Sequence, residues 1–297
     1  IAAMWYVGAT CADLVGYWLY DVEGGWRWML GSAAIPCLLI LIGRFDLPES
    51  PRWLLRKGRV KECEAMMIKL FGEPVAFDED TAQETRFLQL FNRRHFPFVL
   101  FVAAIWTCQV IPMFAIYTFG PQIVGLLGLG AGKSAALGNV VISLFFMLGC
   151  IPPMFWLNSA GRRPLLIGSF VMMTLALAVL GLIPEMGIWL VVTAFAVYAF
   201  FSGGPGNLQW LYPNELFPTD IRASAVGVIM SLSRVGTILS TWALPIFITK
   251  YGISQVMLMG AGISLVGLLV SIAFAPETRG LTLAQTSTMT IRRKPLC

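Results

Sequence analysis

Apolar residues run along this chain in blocks of about twenty, separated by polar breaks, at about 1–20, 26–43, 96–119, 136–157, 164–184, 187–211, 223–249 and 253–275. About 30 Å of hydrocarbon, divided by a rise of about 1.5 Å per residue, calls for about 20 such residues. Each block therefore predicts one spanning helix. A soluble fold has no interior large enough to hide eight helices that are apolar all round. The pattern predicts an all-α, polytopic membrane protein.

Composition agrees. Of 297 residues, 57% are hydrophobic and 12% charged, against about 25% charged in a soluble domain, and the mean hydropathy is +0.75. The net charge of +5 invites a nucleic-acid reading, but the placement of the charges removes it. Threading the spans alternately puts 44–95, 158–163, 212–222 and 276–297 on one side. These segments hold 17 of the 21 basic residues. The opposite loops hold Arg27, Lys133 and Lys250, and Arg234 lies inside a span. By the positive-inside rule the first set is cytoplasmic. A bacterial inner membrane with a cytoplasmic C-terminus follows, and the basicity is a topology signal.

The six cysteines, Cys11, Cys37, Cys63, Cys108, Cys150 and Cys297, show no paired spacing, so neither a disulfide framework nor a zinc site is expected. The single His95 excludes a multi-histidine metal cluster. No cofactor or metal is expected. The chain opens at Ile1 inside an apolar run and reads as a piece whose preceding helices are missing.

The one long polar interval, 44–95, carries charge-rich helical runs at Arg59–Phe71 and about Thr81–Asn92, split by Gly72-Glu73-Pro74. Short amphipathic helices on the inner membrane face are expected there, with a disordered linker as the other reading. Two blocks precede this interval and six follow. That suggests six spans, a linker and six spans, with eight of twelve present: 1–43 from the first half, 44–95 the linker, 96–275 the second half and 276–297 a tail. An internal repeat supports this. Shifting the chain by 228 residues lays Val7-Gly8 on Val235-Gly236, Pro48-Glu49 on Pro276-Glu277, and Leu30, Ala33, Ile35 and Leu41 on Leu258, Ala261, Ile263 and Leu269. Two homologous halves about an axis along the membrane normal are one way transporters are built.

Four edge motifs then name a family. Pro48-Glu49-Ser50-Pro51-Arg52-Trp53-Leu54, Gly161-Arg162-Arg163-Pro164, Glu215-Leu216-Phe217-Pro218-Thr219-Asp220-Ile221-Arg222 and Pro276-Glu277-Thr278-Arg279-Gly280 resemble, in order, the signatures after the sixth, eighth, tenth and twelfth helices of the sugar porter branch of the major facilitator superfamily. The resemblance covers the whole chain. More narrowly, the chain is similar to enterobacterial inner-membrane metabolite transporters of that branch. The resemblance implies the major facilitator fold and alternating-access transport, without naming a substrate.

The motifs place Glu49, Arg52, Arg162, Arg163, Glu215, Arg222, Glu277 and Arg279 at helix ends on one face. Arg–carboxylate contacts suit a half-desolvated interface, and the resemblance implies a cytoplasmic latch between the halves. The other reading is a set of topology anchors whose exposed pairs contribute about 0–1 kcal/mol.

Transporter sites lie near mid-membrane, where helices break and polar groups turn inward. The clearest break is Ser202-Gly203-Gly204-Pro205-Gly206-Asn207-Leu208-Gln209-Trp210. Sugar porters carry a Gly-Pro-Gly-Pro-Ile-Pro-Trp-like stretch here. This chain keeps Gly204, Pro205, Gly206 and Trp210 but has Asn207-Leu208-Gln209 between them. Either it is a gating hinge with Asn207, Gln209 and Trp210 near the cavity, or a kink that serves packing. Gln109, Tyr117 and Asn139 are further candidate ligands. Gln109 and Asn139 match polar positions of the family, whereas the sugar-binding Asn expected six residues past Gln109 is Ala115. Interhelical glue is the competing role for both amides.

Arg234 is the sharpest signal. It lies 12 residues past Arg222, about 18 Å deeper along a helix, where an unpaired charge costs at least about 2.5–3.5 kcal/mol. Sugar porters have Asn-Trp where Ser233-Arg234 stand, and Ser-Arg-Val-Gly looks more like organic-anion carriers of neighbouring branches. Arg234 is expected to bind a substrate carboxylate, or else to pair with Asp13, the one acid well inside a span. Asp13 is also a candidate proton carrier. A small organic acid ranks first as substrate, a sugar or polyol second. Expected partners are a small-molecule substrate and the lipid bilayer, with no nucleic acid, and a monomeric state. A membrane enzyme would need a catalytic polar cluster, and a channel a filter motif; neither pattern occurs. A non-functional remnant is the third alternative.

Overall fold

The computed structural model describes residues 2–46, 49, 51, 54, 57–71, 87–126, 132–183 and 187–281. Its helices are α1 (Ala2–Trp18), α2 (Gly25–Ser32), α3 (Ala34–Gly43), α4 (Val60–Phe71), α5 (Phe96–Leu126), α6 (Lys133–Gly149), α7 (Ile151–Ala160), α8 (Arg162–Leu182), α9 (Ile188–Leu216) and α10 (Thr219–Phe274). Short 3-10 turns occupy Arg44–Asp46 and Phe87–Phe91. No strand occurs among the described residues.

Six stretches are long and apolar enough to cross a bilayer: Gly25–Gly43, Phe96–Gly120, Lys133–Leu157, Arg162–Leu182, Trp189–Leu216 and Ile221–Phe274. The last is 54 residues long, more than twice a single crossing. It breaks at Gly252, whose φ of 81° and ψ of 167° leave the helical region, and so serves the two blocks 223–249 and 253–275. The first block is α1, 17 residues and about 25 Å long by helical rise. The block 136–157 is two helices, α6 and α7. Pro152 and Pro153 at the start of α7 have no N–H to continue the ladder of α6.

Residues 27–85 form one compact unit and residues 1–26 with 86–297 another. In the first, α4 turns Cys63 and Met67 onto Leu54 and Arg59 pairs with Glu62 at 2.5 Å. In the larger unit α10 packs chiefly on α5 and α8, α9 on α8 and α6, and α1 on α6. Tyr198, Tyr212, Phe146, Phe170 and Phe195 fill the interior. Trp18, Phe155, Trp189 and Trp242 stand on the outside, each more than 70% exposed, which suits a surface solvated by lipid. With lipid outside, tight helix packing must come from small residues. A Cβ on Gly203 would fall on the backbone of Gly149 and Cys150.

The seam between α1 and α6 is polar at one end and aromatic at the other. Lys133 pairs with Asp21 at 2.5 Å and lies over the Tyr17 ring. Further along, Asn139 Nδ2 donates to Asp13 Oδ1 at 3.1 Å and the Ser143 hydroxyl donates to Asp13 Oδ2. Thr10 donates to the Ser143 carbonyl at 3.3 Å. Tyr6 stacks on Phe146 with 6.0 Å between ring centres.

Candidate functional site

A cavity of about 320 Å³ opens where α1, α5, α9 and α10 meet, at the small end of the usual range for ligand pockets. Trp5, Tyr6, Trp106, Phe114 and Trp210 wall it, and Gln209 and Arg234 bring polar groups to it. Arg234 rests its guanidinium over the Phe114 ring, 5.1 Å from the centroid. Stacking of that kind leaves the in-plane N–H edges open to an acceptor. Among the described residues no carboxylate pairs with Arg234. Gln209 carries a buried side-chain oxygen with no hydrogen-bond partner among the described residues. Trp210 meets Trp106 edge-on at 5.1 Å.

The other candidates sit beside the cavity. Gln109, fully buried, donates to Ser202 Oγ at 3.1 Å and to Met113 Sδ at 3.3 Å. Tyr117 stacks on Phe146 at 5.1 Å and meets Trp5 edge-on. Asn139 and Asp13 hold each other in the α1–α6 seam, so Asp13 finds its partners on α6 while Arg234 faces Phe114. Asn207 donates to the Cys150 carbonyl, at the break between α6 and α7, at 2.8 Å. Helix α9 runs unbroken through Gly204, Pro205 and Gly206. Gly204 lies against Ser169 and Gly206 against the Tyr6 hydroxyl.

Arg162, Arg163, Glu215, Glu277 and Arg279 meet at the ends of α8, α9 and α10. Arg162 Nη2 bonds Glu215 Oε1 at 2.8 Å, the two side chains 13% and 14% exposed. Thr278 donates to the other Glu215 oxygen at 2.5 Å. Glu277 accepts the backbone N–H groups of Arg162 and Arg163 at 3.0 and 3.1 Å. These are first-turn donors of α8 that no helical carbonyl can serve, and the site is favourable for an anion. Arg163 donates to the Ile272 carbonyl, Arg279 to that of Ser159 and Arg222 to that of Phe217. Glu49 is exposed in the smaller unit. Arg52 lies outside the described residues, as do part of the second linker helix and most of the tail.

Sequence reasoning did not single out Trp5, Tyr6, Trp106, Met113, Phe114 or Met230, all of which line the cavity. A signal existed. Trp106, Val110, Met113 and Phe114 follow the spacing of one helix face, and the 228-residue shift lays Tyr6 on Arg234.

Apolar spanning helices around a partly polar cavity, with charged motifs at one edge, are the layout of the major facilitator fold. The chain belongs to the sugar (and other) transporter family, whose model matches residues 2–290. It is 91% identical over 292 residues to YaaU of Escherichia coli (strain K12), a protein named for metabolite transport, covering 98% of this chain and 66% of YaaU. It is 34% identical to the inner membrane metabolite transport protein YgcS of the same strain, covering 95% and 63%. The fold is shared with the proton:xylose symporter XylE of E. coli bound to 6-bromo-6-deoxy-D-glucose, at a TM-score of 0.76 and 21% identity, covering 95% of this chain and 64% of XylE. The chain thus spans about two thirds of the length of these relatives.

Proposed function

We propose that this chain is the greater part of a secondary transporter that moves a small organic acid across the bacterial inner membrane by alternating access. The carrying observation is Arg234, a guanidinium on the wall of the cavity, over the Phe114 ring and without a carboxylate partner among the described residues. Arg234 is exposed at the cavity wall, and a cation within an apolar span calls for an anion or water, a role that a substrate carboxylate can fill. In this reading the transporter is monomeric, residues 1–43 and 96–275 belong to opposite halves, 44–95 links them on the inner face, and the C-terminus is cytoplasmic. Asp13, held by Asn139 and Ser143 across the α1–α6 seam, is the proposed proton site. The edge network around Glu215 and Glu277 is the proposed inner latch.

A second reading, a sugar or polyol porter, draws on the Trp106–Trp210 pair and the unpartnered Gln209 oxygen. Aromatic faces and amides suit hydroxylated rings, and the XylE likeness points the same way. Uptake into proteoliposomes separates the two. A panel of radiolabelled monocarboxylates and pentoses is offered to the unmodified chain and to Arg234→Gln. Carboxylate uptake that falls at least about tenfold in the variant, equivalent to about 1.4 kcal/mol, supports the anion reading. Pentose uptake that the substitution leaves intact, with no carboxylate transported, sinks it.

A further inference from the structure

Tyr6 and Arg234 are 228 residues apart, the period that superimposes the two helix pairs, and both line the same cavity. Pseudo-equivalent positions of the two repeats therefore converge on one space. One supplies a cation and the other a phenol.

The Tyr6 ring is fixed on two sides. It stacks on Phe146 at 6.0 Å, with the planes 8° apart, and stands edge-on to Trp5 at 5.2 Å. A side chain on Gly206 would begin 2.6 Å from the hydroxyl oxygen, so α9 leaves room there for the phenol. The hydroxyl has Gln109 and Ser202 beside it, and its hydrogen bond is a long one. It donates to Met113 Sδ at 3.9 Å, and that sulfur already accepts from Gln109 at 3.3 Å. A thioether is a weak acceptor, and a carboxylate oxygen is a much stronger one. Gln109, which with Ser202 flanks the hydroxyl, donates to Ser202 Oγ at 3.1 Å, and its own side-chain oxygen has no partner among the described residues.

We propose that Tyr6 is a specificity-determining residue: its hydroxyl leaves Met113 and donates to one oxygen of the substrate carboxylate while Arg234 engages the carboxylate from the other repeat. This rests on the carboxylate reading above and deepens it. A ligand held by both positions ties the two repeats together only while it is bound.

Isothermal titration of the full chain in detergent micelles tests this, with L-lactate, benzoate and gluconate as carboxylate probes and xylose as the neutral one. Tyr6→Phe keeps the ring and its stacking and is expected to weaken the carboxylates by about tenfold, leaving xylose and the thermal midpoint unchanged. Met113→Leu removes the competing acceptor and is expected to leave carboxylate affinity equal or higher. If Met113→Leu weakens carboxylates as much as Tyr6→Phe does, the hydroxyl acts only by positioning Met113, and the assignment is wrong. It is also wrong if Tyr6→Phe binds them as the unmodified chain does. If no carboxylate of the panel binds the unmodified chain, the organic-acid reading fails, and this proposal with it.

Discussion

Arg162 at the start of α8 bonds Glu215 at the end of α9 across 2.8 Å, with both side chains largely out of solvent. Thr278, just past α10, occupies the second Glu215 oxygen, so one carboxylate fastens three helix ends. A desolvated pair of this kind is more costly to break singly than to remove whole. Glu215→Ala should destabilise by about 3–5 kcal/mol, because it strands the Arg162 charge. Arg162→Ala with Glu215→Ala should lose clearly less than the sum of the single losses. Thermal midpoints of the three variants in one detergent measure the coupling, and additive losses would show that the pair contributes nothing as a pair.

Gly161 separates α7 from α8 with φ at 89°, a conformation that a Cβ disfavours. A Cβ there would also lie 2.7 Å from Glu277 Oε2, pushing the carboxylate off the N–H groups of Arg162 and Arg163. Gly161→Ala should therefore cost about 1–3 kcal/mol through backbone strain and loosen the α8 cap as well. Hydrogen exchange at the first turn of α8 should rise in the variant. Unchanged protection would show that Glu277 does not cap that helix.

His95 stands at the mouth of α5 beside Phe217. Burial, and after it the neighbouring Arg94 charge, hold its imidazole below the usual histidine range. The folded chain thus prefers neutral His95, and the unfolded chain takes up its proton first as pH falls. The contribution to stability is present above the unfolded value, about 6.5, and is lost as pH drops from there toward the folded value. His95→Gln should flatten that acid limb of a thermal-midpoint profile while leaving the midpoint near pH 8 almost unmoved. A limb that persists unchanged assigns the effect to other groups.

Much of this architecture was written in linear patterns, and the reasons differ from element to element. The 228-residue register rests on apolar positions and the repeated Val-Gly and Pro-Glu pairs, and the backbone repeats it: Gly24 and Gly252, one period apart, both take positive φ, 70° and 81°. The break at Cys150 falls inside the block 136–157, which the apolar pattern gives as one helix, although Pro152 and Pro153 mark it. Pairing was less legible. Acids and bases alternate along the edge motifs, but whether Glu277 meets a guanidinium or two backbone N–H groups depends on how α8 and the segment after α10 are tilted. The cavity wall was harder still. Trp5, Phe114 and Met230 look like any lipid-facing residues in sequence, because an apolar helix carries no contrast between its lipid and cavity faces. Arg234 stood out because charge is the one property that a spanning helix cannot carry without a reason.

Asp13 supplies the last test. Its two oxygens meet Asn139 and Ser143, one turn apart on α6. Asp13→Asn preserves the size and brings an amide into a site that offers donors. Its amide oxygen can go on accepting from Asn139 while its NH2 donates to the Ser143 hydroxyl, which turns to accept, so both contacts survive the substitution. If Asp13 carries the coupling proton, the variant loses accumulation driven by an imposed pH gradient by at least about tenfold. It should still catalyse exchange of labelled for unlabelled substrate at equal concentrations, since exchange needs no net proton movement. Ser143→Ala removes one donor and should weaken accumulation less than Asp13→Asn does. Paired assays in proteoliposomes, gradient-driven and exchange, separate coupling from folding: loss of both activities marks Asp13 as structural. Retention of gradient-driven accumulation moves the proton site elsewhere in the carrier.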